Sequence, residues 1–150
     1  MLDWDLSDPF VLPLTVMPDA IDDYQHVNNA EYVRWLEQIS WAHSAALGLD
    51  LKRYQALDRA MAVVRHEIDY LAAAHEGEQL MLATWIVDCD GRLSLTRRFQ
   101  LLRCEDKRCL LRGRTRFACI ELSSGRPRRM PDEFTRIYRQ ALCSEEAGLK

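Results

Sequence analysis

Residues 22–32 read Asp-Asp-Tyr-Gln-His-Val-Asn-Asn-Ala-Glu-Tyr and join a polar loop to the strongest helix pattern in the chain. Asn28 followed by Glu31 has the form of a capping box, with Asn28 as the cap. Gly48 is a natural helix stop. The sequence therefore predicts a helix over residues 29–47. The apolar residues that recur at helical spacing in it are Tyr32, Trp35, Leu36, Ile39, Ala42, Ala46 and Leu47.

Strand patterns lie on both sides of this helix. The first precedes it at residues 10–16, where Pro13 indicates an edge strand or a bulge. Residues 48–60 are expected to be irregular, and a short C-terminal helix is expected to begin at residues 131–133. One helix followed by sequential strands indicates an α+β fold with an antiparallel sheet. The strands predicted after the helix are residues 62–70, 80–87, 93–102 and 109–122.

The loop and helix start resemble the signature of hot-dog acyl-CoA thioesterases in the 4-hydroxybenzoyl-CoA thioesterase-like family. That signature is an Asp, three variable residues, His-Val-Asn-Asn and a Tyr three residues on, as Asp22 to Tyr32 reads here. Residues 64–70 and 125–131 resemble a strand and the end-of-sheet segment of the same family. The family often has Gly immediately before the His, where this chain has Gln25.

The likeness covers residues 10–134 and implies a single hot-dog domain over residues 1–150. In that fold, a curved antiparallel sheet wraps around one long helix. The expected core is residues 10–134, with the short C-terminal helix after it. The fold also implies a homodimer or a dimer of dimers, because a single domain leaves a sheet edge uncovered.

The resemblance implies thioester hydrolysis with Asp22 as the catalytic carboxylate, acting either as general base on water or as nucleophile. The backbone N–H of Asn29, at the start of the helix, would stabilise the oxyanion. His26 would transfer a proton or, more often in such a loop, orient it through hydrogen bonds. Asn28 and Tyr32 are counted with the substrate-binding residues, although capping and core packing also explain them.

Basic residues are concentrated in one part of the chain. Residues 92–129 hold twelve Arg or Lys and three Asp or Glu, so they carry +9, and the remainder carries −12 to give the net charge of −3. Two interpretations stay open: solvated strand residues, or a surface that contacts the phosphates of a substrate such as CoA. The arginines expected to contact phosphate are Arg126, Arg128 and Arg129, together with Arg97 and Arg98.

Five cysteines without a CxxC pair argue against a disulfide scaffold and against a zinc site. They indicate reduced cysteines in a cytoplasmic protein. The acidic N-terminus lacks the features of a signal peptide, and no apolar run approaches the roughly 20 residues of a membrane helix. No metal or cofactor is expected, since CoA enters only as part of the substrate.

Other functions fit parts of the same pattern. The acyl carrier could be acyl carrier protein, whose acidic surface also suits basic strands. A dehydratase would need a catalytic His with a helix carboxylate, and His26 and Glu37 are poorly placed for that chemistry. A non-catalytic module that binds CoA or acyl groups would keep the fold without turnover. Nucleic acid and membranes are not expected partners, because no matching motif is present and the net charge is negative.

Overall fold

One long helix lies across one face of a five-stranded antiparallel sheet in the computed structural model, which describes residues 2–145. The strands are β1 (Phe10–Thr15), β2 (Arg59–Tyr70), β3 (Gln79–Cys89), β4 (Ser94–Arg103) and β5 (Cys109–Glu121). The helices are α1 (Asn29–Ala46), α2 (Leu51–Ala56) and α3 (Asp132–Gln140), and a 3-10 turn covers Pro18–Ala20. The spatial order is β1-β3-β4-β5-β2. This arrangement confirms the predicted α+β class and antiparallel sheet.

Residues 48–60 differ from the prediction of an irregular stretch. They contain α2 and the beginning of β2, which starts at Arg59. The Asp50 side chain caps α2 by accepting a hydrogen bond from the backbone N–H of Arg53 at 2.9 Å. At roughly 3.6 residues per turn, six residues complete fewer than two turns, so the segment shows no apolar periodicity.

The apolar face of α1 forms the centre of the core. Tyr32, Trp35, Leu36 and Ile39 are buried against residues of β1, β3, β4 and β5. The helix ends one residue before the predicted position, and Gly48 follows it with a φ of 97°. A left-handed residue after the last turn is a common helix end that Gly adopts without strain. No helix in residues 2–145 has both the length and the apolar character needed to cross a membrane.

The two faces of the sheet are covered by different parts of the chain. Side chains alternate along β3, so Leu80 and Leu82 pack toward α1, whereas Ala83 and Trp85 face the other way. Leu6, from the N-terminal segment, packs on Ala83 and Trp85. A third apolar cluster joins α2 and α3 to the ends of the strands that lie nearest them. The register shifts once in each of the pairs β2–β5, β3–β4 and β4–β5, which is the mark of bulges that bend strands.

The two edge strands are unlike each other. β1 has six residues and contains Pro13, which lacks a backbone N–H, as predicted for an edge. β2 has twelve residues, contains no proline, and carries the exposed side chains of Val63 and Val64, at 51% and 49% exposure. Proline and short length protect an edge from pairing with another strand. Among the strands of residues 2–145, β2 alone therefore presents a long, unprotected edge.

The packing of α1 on the sheet can be tested with Ile39→Ala. Ile39 has no solvent exposure, so removing its side chain leaves a cavity under the helix, and we expect a loss of about 2–5 kcal/mol in the free energy of unfolding. Urea denaturation measures this loss. Gln38→Ala is the matched control on the exposed face of the same helix, with an expected change within about 0.5 kcal/mol. Equal unfolding midpoints for the two variants would contradict the helix orientation described here.

Candidate active site

A short loop closed by its own backbone carries the first candidate residues. Ile21 and Val27 form an isolated antiparallel bridge at its base. Within the loop, the Asp22 N–H donates to the His26 carbonyl at 2.9 Å, and the Gln25 N–H donates to the Asp22 carbonyl at 3.0 Å. These bonds hold the backbone from Asp22 to His26 in one conformation.

Gln25 occupies the position where the family often has Gly, and its φ is 66°. That is the left-handed region, which costs a residue with a side chain roughly 1–2 kcal/mol and costs Gly nothing. The chain therefore keeps the tight turn at a cost in strain. The departure from the family pattern does not open the loop.

The Asp22 carboxylate is half-buried and held by the loop. Its Oδ1 atom accepts hydrogen bonds from the backbone N–H groups of Tyr24, at 2.9 Å, and His26, at 3.4 Å. Asp side chains often bond the backbone two residues on in this way, so part of the role is structural. Its Oδ2 atom accepts no hydrogen bond from residues 2–145, which leaves one carboxylate oxygen available for chemistry.

The start of α1 leaves one backbone donor without a partner. Asn28 Oδ1 accepts from the Ala30 N–H at 2.9 Å, and the Asn28 carbonyl accepts from the Glu31 N–H at 2.9 Å. The N–H of Asn29 has no acceptor among the described residues. Unsatisfied N–H groups at a helix N-terminus, together with the helix dipole, favour negative charge. Asn29 therefore carries the donor best placed for an anion.

The capping box was predicted correctly in one half only. Asn28 is the cap, but Glu31 does not bond back to the Asn28 N–H. That group donates to the Ala20 carbonyl at 2.9 Å, and the Glu31 carboxylate bonds to Arg34 at 3.3 Å. The competing acceptor lies on the 3-10 turn, outside the motif.

Asp22, His26, Asn29 and Tyr32 line one open cleft of about 390 Å³. The structure thus brings together four of the predicted site residues. Asn28 does not line the cleft, and it contributes by capping the helix behind it. Sequence reasoning did not assign the other residues of the cleft to the site, since most of them lie on the variable part of the motif or at and after the end of β2. Those residues are Tyr24, Val27, Tyr70, Leu71, Ala72 and Ala73.

The His26 ring contacts a second imidazole. It lies edge-to-face on the ring of His75, with centroids 5.2 Å apart. The His75 backbone N–H donates to Glu78 Oε1 at 2.6 Å, and the same oxygen lies 3.5 Å from His75 Nδ1. Within the described residues, His26 reaches the Asp22 carboxylate through its backbone N–H alone. This geometry fits a residue that orients the loop better than one that moves the proton.

Tyr32 is almost fully buried and ties the cleft wall to α1. Its hydroxyl accepts a hydrogen bond from the Ala74 N–H at 3.0 Å, and its ring packs edge-to-face on Trp35 and Tyr70. Burial raises the pKa of the Tyr32 phenol, so the hydroxyl stays neutral. Its role in the structure is to position the segment after β2.

The predicted phosphate arginines lie far from this cleft within one chain. Arg126, Arg128 and Arg129 are exposed and follow β5, whose last residue pairs with Arg59 at the start of β2. The cleft lies at the other end of β2, so eleven steps of strand, roughly 35 Å, separate the two. Arg128 is bound to Glu121 in an ion pair.

The expectation of a surface role for Arg97 is wrong. Arg97 is 2% exposed, whereas Arg98 points to the other face of β4 and pairs with Asp5 and Glu145. The burial of Arg97 could be predicted from the alternation of side chains along β4, because Arg97 faces the same side as the core residues Leu95 and Phe99. Much of the basic charge on the outer face is neutralised within the chain.

The profile of the thioesterase-like superfamily matches residues 16–137. No curated protein sequence matches the chain significantly.

Several solved structures share the fold. Slr0204, a 1,4-dihydroxy-2-naphthoyl-CoA thioesterase from Synechocystis, is 19% identical over 88% of this chain and 96% of its own, with a TM-score of 0.78. SAV2348 from Staphylococcus aureus, solved in complex with CoA, is 20% identical over 91% and 87%, with a TM-score of 0.81. The 12:0-ACP thioesterase from Umbellularia californica is 14% identical over 89% and 54%, with a TM-score of 0.78. At these identities the likeness establishes the fold, and it confirms the hot-dog architecture.

The strained turn beneath Asp22 can be tested with Gln25→Gly. Relief of the left-handed strain exceeds the extra backbone entropy that Gly loses on folding, so we expect a gain of about 0.5–1 kcal/mol in the free energy of unfolding. Thermal and urea denaturation measure the gain. Tyr24→Gly is the control on the same loop, because Tyr24 has no positive φ and gains nothing from Gly. A destabilised Gln25→Gly protein would rule out the turn geometry.

Proposed function

The chain belongs to the thioesterase-like superfamily and is a thioester hydrolase, and we propose that it cleaves an acyl-CoA thioester to a free acid and CoA with Asp22 as the catalytic carboxylate. One observation carries the proposal. A carboxylate oxygen of Asp22 and the free N–H of Asn29, both without partners in residues 2–145, line the same cleft. A carboxylate and an oxyanion donor are the two groups that thioester hydrolysis requires.

The proposed chemistry begins with the thioester carbonyl oxygen on the Asn29 N–H. As a nucleophile adds to the carbonyl carbon, negative charge develops on that oxygen, and the N-terminus of α1 stabilises it. Asp22 either takes a proton from the attacking water or attacks the carbonyl carbon itself, forming an anhydride that water then cleaves. In the general-base route the C–S bond then breaks, and the sulfur of CoA takes the water proton that Asp22 holds. In the nucleophilic route the C–S bond breaks as the anhydride forms, CoA leaves as a thiolate, and the water that later cleaves the anhydride supplies its proton. Both routes use the same Asp22 oxygen.

CoA is the preferred carrier in this proposal because the chain offers arginines for its phosphates and because a protein of the same fold was solved with CoA. Acyl carrier protein is the alternative, favoured by the fold shared with an ACP thioesterase. In both cases the arginines after β5 have to reach the cleft. They do so only if a second copy of the chain supplies them.

We propose a homodimer formed through β2. A two-fold axis across two β2 edges pairs them antiparallel, which brings the first residues of one β2 close to the last residues of the other. The arginines after β5 in one copy would then approach the Asp22 cleft of the other. The long, proline-free edge and the exposed valines of β2 support this choice over β1. A dimer of dimers is compatible with the same pairing.

A cytoplasmic location completes the proposal. All five cysteines are free thiols. Cys89 and Cys119 are buried, and the other three are partly accessible to solvent. Unpaired cysteines are typical of proteins in a reducing compartment.

Asp22→Asn tests the catalytic assignment. The amide oxygen can still accept the Tyr24 N–H, so the loop should persist, while base strength and nucleophilicity are lost. We expect kcat to fall by roughly 10²–10⁴-fold, measured as thiol release over a panel of acyl-CoAs. Asp23→Asn, at the exposed neighbouring position, should retain the parent rate.

Full activity of Asp22→Asn would remove Asp22 from the mechanism. If the parent protein cleaves no acyl-CoA, the same panel is repeated with acyl carrier protein thioesters. Binding of CoA without cleavage of either class would favour a non-catalytic module in place of the enzyme.

The dimer can be tested with a charge on each sheet edge. Sedimentation at micromolar concentration should show the parent protein as a dimer or larger assembly. Val64→Lys places like charges close together across the two-fold axis, so we expect it to shift the protein toward monomer. Val11→Lys is the matched control, an exposed valine on β1, and should sediment like the parent. A monomeric parent, or dissociation by Val11→Lys alone, would contradict pairing through β2.

A further inference from the structure

A second cavity, of about 200 Å³, lies between α1 and the strands β2, β4 and β5. It shares no lining residue with the Asp22 cleft. Its walls are mainly apolar, and one aromatic side chain, Trp41, is partly exposed to solvent. The apolar side chains that line it include Val33, Leu36, Trp41, Leu95, Phe99 and Phe117.

One cation faces this apolar space. Arg97 lines the cavity and is almost completely buried. Its guanidinium donates to His43 Nδ1 at 2.8 Å, to Ser44 Oγ at 2.9 Å and to the Ser40 carbonyl at 3.3 Å. All three acceptors are neutral groups of α1, so they satisfy N–H groups without balancing the charge.

The neutrality of His43 follows from its surroundings. Burial, together with the positive charge of Arg97, lowers the pKa of His43 to about 4. Its Nδ1 atom can therefore only accept the Arg97 hydrogen bond. A neutral His43 therefore leaves the positive charge of Arg97 without a counter-charge.

Hydroxyl groups surround the same end of the cavity. Ser44 Oγ lies 2.9 Å from the Tyr138 hydroxyl, which is also hydrogen-bonded to the hydroxyl of Tyr54. Burial raises the pKa of Tyr54, so this phenol is neutral. Ser44, Tyr54 and Tyr138 all line the cavity, and their hydrogen-bonded chain leaves one hydroxyl proton for an acceptor outside it.

No carboxylate among residues 2–145 forms an ion pair with Arg97. Glu37 and His66 line the same cavity, but both are exposed, and His66 is hydrogen-bonded to Thr115 at 2.7 Å. A buried cation without a partner carries a large desolvation cost. A carboxylate ligand would balance the charge of Arg97, and the opposite charges of the two groups would strengthen a hydrogen bond between them.

We propose that this cavity binds the carboxylate of a compact apolar acid, with Arg97 as its charge partner. A cavity of roughly 150 Å³ can hold a benzene molecule, so the space here suits a ring or a chain of about six carbons. The ligand has two sources: a free acid, or the distal carboxylate of an acyl group carried as a thioester. The second source rests on the proposed function.

The second source has a route through the dimer. Met61 and Val63, in the first half of β2, line the cavity. Antiparallel pairing of two β2 edges brings this half of the strand toward the Asp22 cleft of the other copy. An acyl group whose thioester lies in one copy's cleft would extend toward Arg97 of the other copy.

The charge requirement is tested on the native protein with hexanoate and its neutral match, hexanamide. Titration calorimetry measures the dissociation constants, and tryptophan fluorescence reports on the cavity through Trp41. We expect hexanoate to bind at least tenfold more tightly than hexanamide. Equal affinities, or no binding of hexanoate, would overturn the proposal without any variant.

Substitution of Arg97 tests the partner. Arg97→Met keeps an apolar side chain of similar length, and we expect it to abolish the preference for hexanoate over hexanamide. Arg97→Lys keeps the charge and should retain part of the preference. A Met variant that folds, by circular dichroism, and still prefers hexanoate would show that another group holds the carboxylate. If the Met variant does not fold, the Lys variant takes its place. A Lys variant that binds hexanoate as tightly as the parent protein would count against a site specific for the guanidinium group.

Thioester hydrolysis distinguishes the sources. Adipoyl-CoA and hexanoyl-CoA have acyl chains of six carbons, and only the former carries a distal carboxylate. A KM at least tenfold lower for adipoyl-CoA, lost in Arg97→Met, assigns the cavity to the acyl group. Equal KM values with tight hexanoate binding assign it to a free acid. Absence of all hydrolysis with hexanoate still bound would refute the proposed function and leave this site standing.

Discussion

The start of α1 is fixed by backbone hydrogen bonds to two segments that are distant in the chain. The Val27 N–H donates to the Ala74 carbonyl at 3.1 Å, and the Asn28 N–H donates to the Ala20 carbonyl at 2.9 Å. The Tyr32 hydroxyl accepts from the Ala74 N–H, so Ala74 is bound on both sides. Everything proposed for the cleft depends on this constraint, because it determines where the free N–H of Asn29 points relative to Asp22.

The motif was readable because its main features are local. A cap followed by helical periodicity places α1, and the spacing from Asp22 to Asn29 places a carboxylate near the helix start. The Asn28 N–H donates to the Ala20 carbonyl, on the 3-10 turn before the loop, and not to the predicted Glu31 carboxylate. Such a contact depends on how two segments pack, and no spacing within the motif encodes it. The short helix α2 was not predicted, because six residues are too few to show apolar residues recurring at helical spacing.

Charge along the sequence proved a poor guide to charge in space. Residues 92–129 form one basic segment in the sequence, but neighbouring residues of a strand face opposite sides of the sheet. Arg97 enters the core and Arg98 meets Asp5 and Glu145 on the other face. The phase of β4 was visible in the sequence. The cavity was not, because its walls come from separate helices and strands that only the fold brings together.

The inequality of the two sheet edges also limits how far the protein can assemble. A chain with two open edges could add further copies at each end and grow into a filament. Here the outer edge is β1, six residues long and interrupted by Pro13, whose missing N–H leaves a gap in any further ladder. Two copies joined through β2 would present only such edges to solvent. Strand addition would then stop at a continuous sheet of two copies, because Pro13 interrupts the hydrogen bonds that a further strand would need.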